Sequence, residues 1–389
     1  RRHARLAPGA VVLVIACSAA SPVAGVFLAL ALLAWAIAER SVWTLALAVL
    51  ALAPIAVLAV MFPEGGTQPF VASAFYPALA GVLFLFAVIP GRERALRLGA
   101  LLYAAALIGA YALPSAVGGN VDRLGALFAG PLAACMLTGR GRVARITLLL
   151  AALPLIYWQV NAPLADFLAA RSDAGVDASY YTPLIGELRA LGIGYSGRPA
   201  RIEVVPEKNH WEARWVAPVI PLARGWERQL DARENAIFYG ESRPLSAARY
   251  RAWLSDEAVS YVALADYPLD YSAKAEARLL RSARPSYLRE VWHSRHWRLF
   301  AVLGARPLAE SPSSLTAMSS DSFTLRAPRP GTFTVRVHFS AYWGIAGGSG
   351  CVRRAPGGWT QVQAHAAGSL RVAIAFSLAR VFDHGSRCA

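Results

Sequence analysis

Residues 115–125, SAVGGNVDRLG, bring two glycines, an amide, a carboxylate and a guanidinium into one short stretch. Gly118 and Gly119 permit backbone geometries that other residues avoid. Such a stretch could cradle a phosphate or perform acid/base chemistry. A helix beginning here would add unpaired N–H groups and a positive dipole end, both favourable to phosphate. The plain alternative is a turn in which Asp122 caps or neutralises that helix end, in a loop with an interfacial ion pair. The spacing matches neither a P-loop nor a dinucleotide fingerprint.

A second stretch, EKNHWEARWVAP at 207–218, sets Lys208, His210 and Glu212 beside Trp211 and Trp215. Aromatic faces with neighbouring carboxylates suit sugars, which makes His210, Trp211 and Glu212 candidate substrate contacts. The alternative is an exposed strand or a loop on a membrane surface, where tryptophan prefers the interface. The seven histidines are dispersed. The nearest pair, His293 and His296, lacks cysteine or carboxylate companions at ligand spacing, so no metal is assigned. G-x-S-x-G, H-E-x-x-H and C-x-x-C are all absent, which removes support for hydrolase, zinc-peptidase and thioredoxin-like chemistry.

The elements that must position these residues fall into two halves. The 389 residues are 56% hydrophobic and 16% charged, with mean hydropathy +0.41, outside the usual soluble range. Apolar runs occur at 8–20, 22–38, 42–62, 74–89, 96–113, 124–137 and 143–160. Crossing a bilayer takes roughly 20 residues, so the third, fifth and seventh runs are the clearest spans and the first and sixth are short. Taken as seven crossings with the N-terminus inside, ten of the eleven arginines up to residue 160 fall on the cytoplasmic side. Arg123 is the exception. This orientation predicts a plasma-membrane protein with everything after residue 160 outside the cytoplasm. Glu64 and Asp122 are then the acids of the later outer loops.

The net charge of +15 comes from bases scattered singly, without the clustered basic and aromatic pattern of a nucleic-acid interface. Cys17 and Cys135 lie in apolar runs, and Cys351 and Cys388 in the outer half. Oxidation is permitted there, so a Cys351–Cys388 disulfide is predicted.

Beyond residue 160, helical and strand patterns alternate. TPLIGELRALG reads as a helix ending at Gly192, ARIEVV as a strand stopped by Pro206, and SAARYRAWLSDE as a helix with Ser246 at its N-cap. VSYVALA, YLREVWHS and HWRLFAVL read as strands, the last two as a hairpin. Residues 161–308 are therefore an α/β domain. After a Pro/Ser-rich linker, DSFTLRA, GTFTVRVHFS, GGWTQVQAH and SLRVAIAFS alternate apolar and polar residues. Residues 309–389 thus predict a small antiparallel β-sandwich, following a 1–160 transmembrane helical domain of about seven helices.

GGNVDRLGALFAGPL in the membrane half, followed by RIEVVPEKNHWEARWVAP, LARGWERQLD, YRAWLSDEAVSYVAL and HWRLFAVL, resembles uncharacterised integral membrane proteins of actinobacteria. These are in turn similar to GT-C class glycosyltransferases. The resemblance implies transfer of a sugar from a polyprenyl-phosphate donor to an envelope glycan on the outer membrane face. It implies Asp122 as base or metal ligand with Glu64 as a second candidate, Asn120 and Arg123 at the lipid phosphate, and His210, Trp211 and Glu212 at the sugar. A divalent cation is possible in such an enzyme. GT-C enzymes carry an acidic motif in the first outer loop, where this chain has Ser21-Pro22. Either the catalytic part precedes Arg1, or Asp122 and Glu64 serve instead, or the chain is a non-catalytic envelope protein whose outer domains bind glycan or a protein partner.

Overall fold

The computed structural model describes residues 2–63, 65–240, 245–283, 285–377 and Cys388. It divides into two compact units, residues 1–172 with 228–233, and residues 173–227 with 234–389.

Seven helices form the first unit among the described residues: α1 Arg2–Ala20, α2 Pro22–Glu39, α3 Val42–Met61, α4 Ala72–Val88, α5 Arg94–Ala112, α6 Asp122–Leu137 and α7 Arg142–Ser172. Serines start two of them. Ser21 Oγ accepts the Ala24 N–H at 3.3 Å and Ser41 Oγ the Thr44 N–H at 3.2 Å, satisfying donors that a helix start leaves open. α2, α3, α5 and α7 are long and apolar enough to cross a membrane. Leu149, Leu150 and Leu153 on α7 and Val42 on α3 are 68–81% exposed, which is compatible with contact to lipid. Small residues let the helices approach closely: Ala78, Ala129 and Ala133 are buried between them with Phe75, Leu107 and Leu155. α7 continues past Val160 to Ser172, through Pro163. The break between units therefore falls at Asp173, beyond the end of the apolar run. At 31 residues α7 is about 46 Å long, more than a ~30 Å hydrocarbon core requires.

The second unit begins with α8 Ala178–Ala190, β1 Arg201–Val204 and α9 Glu212–Trp215. In the chain α10 Arg228–Glu234 follows, all but its last residue belonging to the first unit; the second resumes with α11 Ala247–Asp256, β2 Val259–Ala265, α12 Lys274–Arg278, β3 Leu288–His293 and β4 Trp297–Val302. Residues 228–233 of α10 cluster with the helical unit, where Arg233 donates to the Gly65 carbonyl. The sheet order is β1-β2-β4-β3, with β1 and β2 parallel and the remaining pairs antiparallel. Side chains alternate across it. Ile202, Ala263 and Leu299 meet Tyr181, Leu184 and Leu188 of α8 on one face. Val262, Leu264 and Phe300 meet Tyr250, Leu254 and Ala277 of α11 and α12 on the other. α8 stops at Gly192, φ +65°, a conformation glycine adopts without strain.

Seven further strands complete the unit: β5 Ser314–Met318, β6 Ser322–Ala327, β7 Gly331–His338, β8 Trp343–Gly347, β9 Gly350–Arg354, β10 Trp359–Ala364 and β11 Gly368–Ile374. They form two antiparallel sheets, β5-β6-β11-β8 and β7-β10-β9. Phe323, Leu325 and Val372 of the first pack against Val335, Val352 and Val362 of the second, a sandwich core. Cys351 on β9 is disulfide-bonded to Cys388. The sandwich is tied to the α/β part through buried arginines. Arg201 pairs with Glu257 at 3.1 Å and donates to the Arg336 carbonyl at 2.6 Å, while Arg336 reaches Asp256 Oδ1 at 2.7 Å.

Candidate functional site

In the helical unit, Gly118–Val121 forms a single 3-10 turn leading into α6. Gly118 has φ +39°, and a Cβ there would lie 1.8 Å from the Gln68 carbonyl oxygen. Only glycine admits the neighbouring loop. Ser115 secures it, its Oγ accepting the Gly118 N–H at 3.1 Å and its carbonyl the Gln68 N–H at 2.9 Å.

Asp122 stands in the first turn of α6, where an acid offsets the positive helix end, but it does not cap the helix. Val121 occupies the N-cap position and no side chain caps α6. Asp122 forms no ion pair with Arg123 among the described residues; its Oδ1 accepts the indole N–H of Trp158 at 3.1 Å. Tyr103 braces the backbone, its hydroxyl donating to the Val121 carbonyl at 2.8 Å and accepting from the Gly125 N–H at 2.9 Å. Asn120 and Asp122 are half-buried and Arg123 is exposed. Glu64 lies outside the described residues.

Immediately after this turn begins an apolar groove of about 830 Å³. Leu124, Phe128, Leu132 and Cys135 of α6 line one side, and Phe27, Ala31 and Trp35 of α2 another. Leu96 and Gly99 of α5 and Val82 and Leu85 of α4 also line it, with Tyr103 and Gly125 beside the turn. From Leu124 to Cys135 the groove follows α6 for roughly 16 Å.

In the second unit, residues 207–212 leave the carboxyl end of β1. Crevices at the carboxyl ends of parallel strands are where open α/β sheets bind ligands. Asp173 organises this loop. Its carboxylate accepts from Asn209 Nδ2 at 2.6 Å, Trp211 Nε1 at 2.8 Å, the Gly175 N–H at 2.8 Å and the Tyr267 hydroxyl. His210 sits at φ +53°, in the left-handed region that histidine enters more readily than most residues. Its Nδ1 is 2.9 Å from Glu212 Oε1 and its Nε2 3.9 Å from Asp270 Oδ2.

Glu207 is fully buried and accepts the Tyr181 hydroxyl. Burial pushes its carboxyl up to about 8; the Tyr181 hydrogen bond opposes this, and the charges of Glu212 and Asp173 reinforce it. Glu207 Oε1 and Glu212 Oε2 have no hydrogen-bond partner among the described residues. A carboxylate-backed imidazole of this kind can accept and return a proton.

The structure therefore brings His210 and Glu212 together, but commits the Trp211 indole to Asp173 and half-buries its ring. Trp215 likewise donates to the Gly175 carbonyl at 3.1 Å. Asn120, Asp122 and Arg123 belong to the helical unit, and His210, Trp211 and Glu212 to the other. His296 faces Asp266 at 3.0 Å and His293 faces Glu290 at 3.7 Å. Among the described residues no three His, Cys, Asp or Glu side chains are placed to hold a metal ion. Sequence reasoning missed Asp173, Tyr181, Asp270, Tyr103 and Trp158. Glu207 stood in the quoted stretch, but nothing local marks it as buried.

No protein-family model, no curated protein and no solved structure matches this chain.

Proposed function

We propose that the chain is an integral membrane glycosyltransferase of the GT-C kind, taking a sugar from a polyprenyl-phosphate donor on the outer membrane face in cell-envelope glycan assembly. The observation that carries this reading is the apolar groove, of about 830 Å³, whose α6 lining begins at Leu124, the residue that follows Asp122 and Arg123 in the chain. A hydrocarbon chain suits its lining, and a phosphate at its mouth suits a guanidinium. In the reaction, an acceptor hydroxyl attacks the anomeric carbon as the bond to phosphate breaks. Polyprenyl phosphate leaves with the electron pair, and Asp122 takes the hydroxyl proton. Asp122 accepts an indole N–H, and among the described residues no three His, Cys, Asp or Glu side chains come together there, so no step is routed through a metal.

The arginine asymmetry supports a cytoplasmic N-terminus, and the Cys351–Cys388 disulfide supports an outward second unit. His210, flanked by Glu212 and Asp270, is the residue of the 207–212 loop suited to meeting a sugar hydroxyl. That same loop favours a second reading, a membrane-anchored module that binds glycan without catalysis.

The test is transfer from a labelled polyprenyl-phosphate sugar by the full chain in lipid nanodiscs. Wild-type transfer that falls at least 100-fold in Asp122→Asn supports the enzyme, on the scale of removing a general base. Undiminished transfer removes Asp122 from the mechanism. Glycan binding without transfer favours the second reading.

A further inference from the structure

We infer that Trp158 and Tyr103 are positioning residues for Asp122, holding its carboxylate in one orientation one turn before Gly125, which lines the groove. The inference rests on the reading of Asp122 as the base. Three observations within the helical unit support it.

The first is how the indole is seated. Trp158 on α7 fits a slot made by two glycines on different helices. A Cβ at Gly125 of α6 would lie 2.3 Å from the ring, and a Cβ at Gly81 of α4 would lie 2.6 Å from it. Any side chain at either position would displace the ring, so both helices fix the direction in which Nε1 points. Burial alone would not require this. A phenylalanine fills an apolar slot without bringing a polar atom into it, whereas a tryptophan N–H requires a partner once buried.

The second is what the N–H meets. It donates to Asp122 Oδ1 at 3.1 Å, and Oδ2 has no protein donor among the described residues. One oxygen is anchored while the other remains available to accept a proton. A carboxylate serving only to complete the fold gains by having both oxygens satisfied, as Asp173 does with four donors.

The third is that the backbone carrying Asp122 is held separately. The Tyr103 hydroxyl links the Val121 carbonyl and the Gly125 N–H, bracketing Asp122 on both sides. Tyr103 also lines the groove. The carboxylate is thus constrained through its backbone by α5 and at its tip by α7. Groups held this way keep a reactive geometry that side chains on a mobile loop lose.

The experiment uses the full chain in nanodiscs and steady-state transfer from a labelled polyprenyl-phosphate sugar. Trp158→Phe keeps a ring in the slot and removes the N–H; Tyr103→Phe removes only the hydroxyl. Each is expected to lower kcat roughly 10- to 100-fold while KM for the donor stays within about 2-fold, because the base acts in the transition state. In an Asp122→Asn background neither change should lower the residual rate further, since both act through that carboxylate. Wild-type kcat in both variants overturns the inference, as does a raised KM with kcat unchanged, or an equal loss in the Asp122→Asn background. Should Trp158→Phe fail to accumulate, Tyr103→Phe is read by the same criteria. No transfer by the wild type overturns the glycosyl-transfer reading and this assignment with it, whereas wild-type transfer with unaffected variants overturns this assignment alone.

Discussion

Glu207 shows how burial, rather than residue type, sets the behaviour of a single side chain. Its carboxyl is pushed from the ordinary 4.5 up to about 8. Below 4.5 the folded and unfolded chains both hold the proton, and this group adds no pH dependence. Between 4.5 and 8 only the folded chain holds it, so stability falls as pH rises, by up to about 1.4 kcal/mol per pH unit. Above 8 the dependence ends. Glu207→Gln keeps an oxygen for the Tyr181 hydroxyl and removes the titration. Melting temperature measured from pH 5 to pH 8 should therefore decline less steeply in the variant than in the wild type. Parallel profiles would show that Glu207 is ionised in the folded protein.

At the scale of elements, the groove is defined by which residues α2, α4, α5 and α6 place opposite one another. Gly99 of α5 lines it, and a Cβ there meets only Ala34 at 3.7 Å, an ordinary contact. Gly99→Phe is thus expected to fill the groove without forcing the helices apart. If the groove holds a hydrocarbon chain, native mass spectrometry of the purified variant should show several-fold less retained polyprenyl lipid than the wild type. Transfer should show a raised donor KM. Unchanged lipid retention would place the chain elsewhere. The same element logic explains α7: Pro154 and Pro163 lie inside it, so proline marks neither its end nor the limit of the helical unit.

Within the second unit as a whole, the α/β sheet and the sandwich share a buried ionic junction. Arg201, Glu257 and Arg336 are all less than a tenth exposed, and both guanidinium groups lie within 6 Å of the Trp359 ring centre. Burial pushes Glu257 up to about 7 against the opposing pull of Arg201. Removing one partner of such a pair strands the other charge, at a cost of about 3–5 kcal/mol. Glu257→Ala should therefore lower the melting temperature of this unit. Calorimetry should resolve separate transitions for the α/β part and the sandwich where the wild type shows one. A single transition at the wild-type temperature would show that the junction carries little stability.

What the sequence determines by itself is whatever depends on near neighbours in the chain. Seven apolar runs, the alternation of β6, β7, β10 and β11, the Ser246 cap whose Oγ accepts the Arg249 N–H at 3.3 Å, and the stop at Gly192 all follow from local periodicity and backbone preference. That four helices are long and apolar enough to span a membrane is a matter of length and composition. The sites are decided by partners far along the chain. Asp122 and Trp158 are 36 residues apart, Asp173 and Tyr267 94, and Tyr181 and Glu207 26. Periodicity indicates which face of an element is buried, but not which donor on another element will meet a given carboxylate. For that reason GGNVDR alone left a cap, an ion pair and a ligand contact open. Only the packing of α4 and α6 around Trp158 selected the indole as the partner of Asp122.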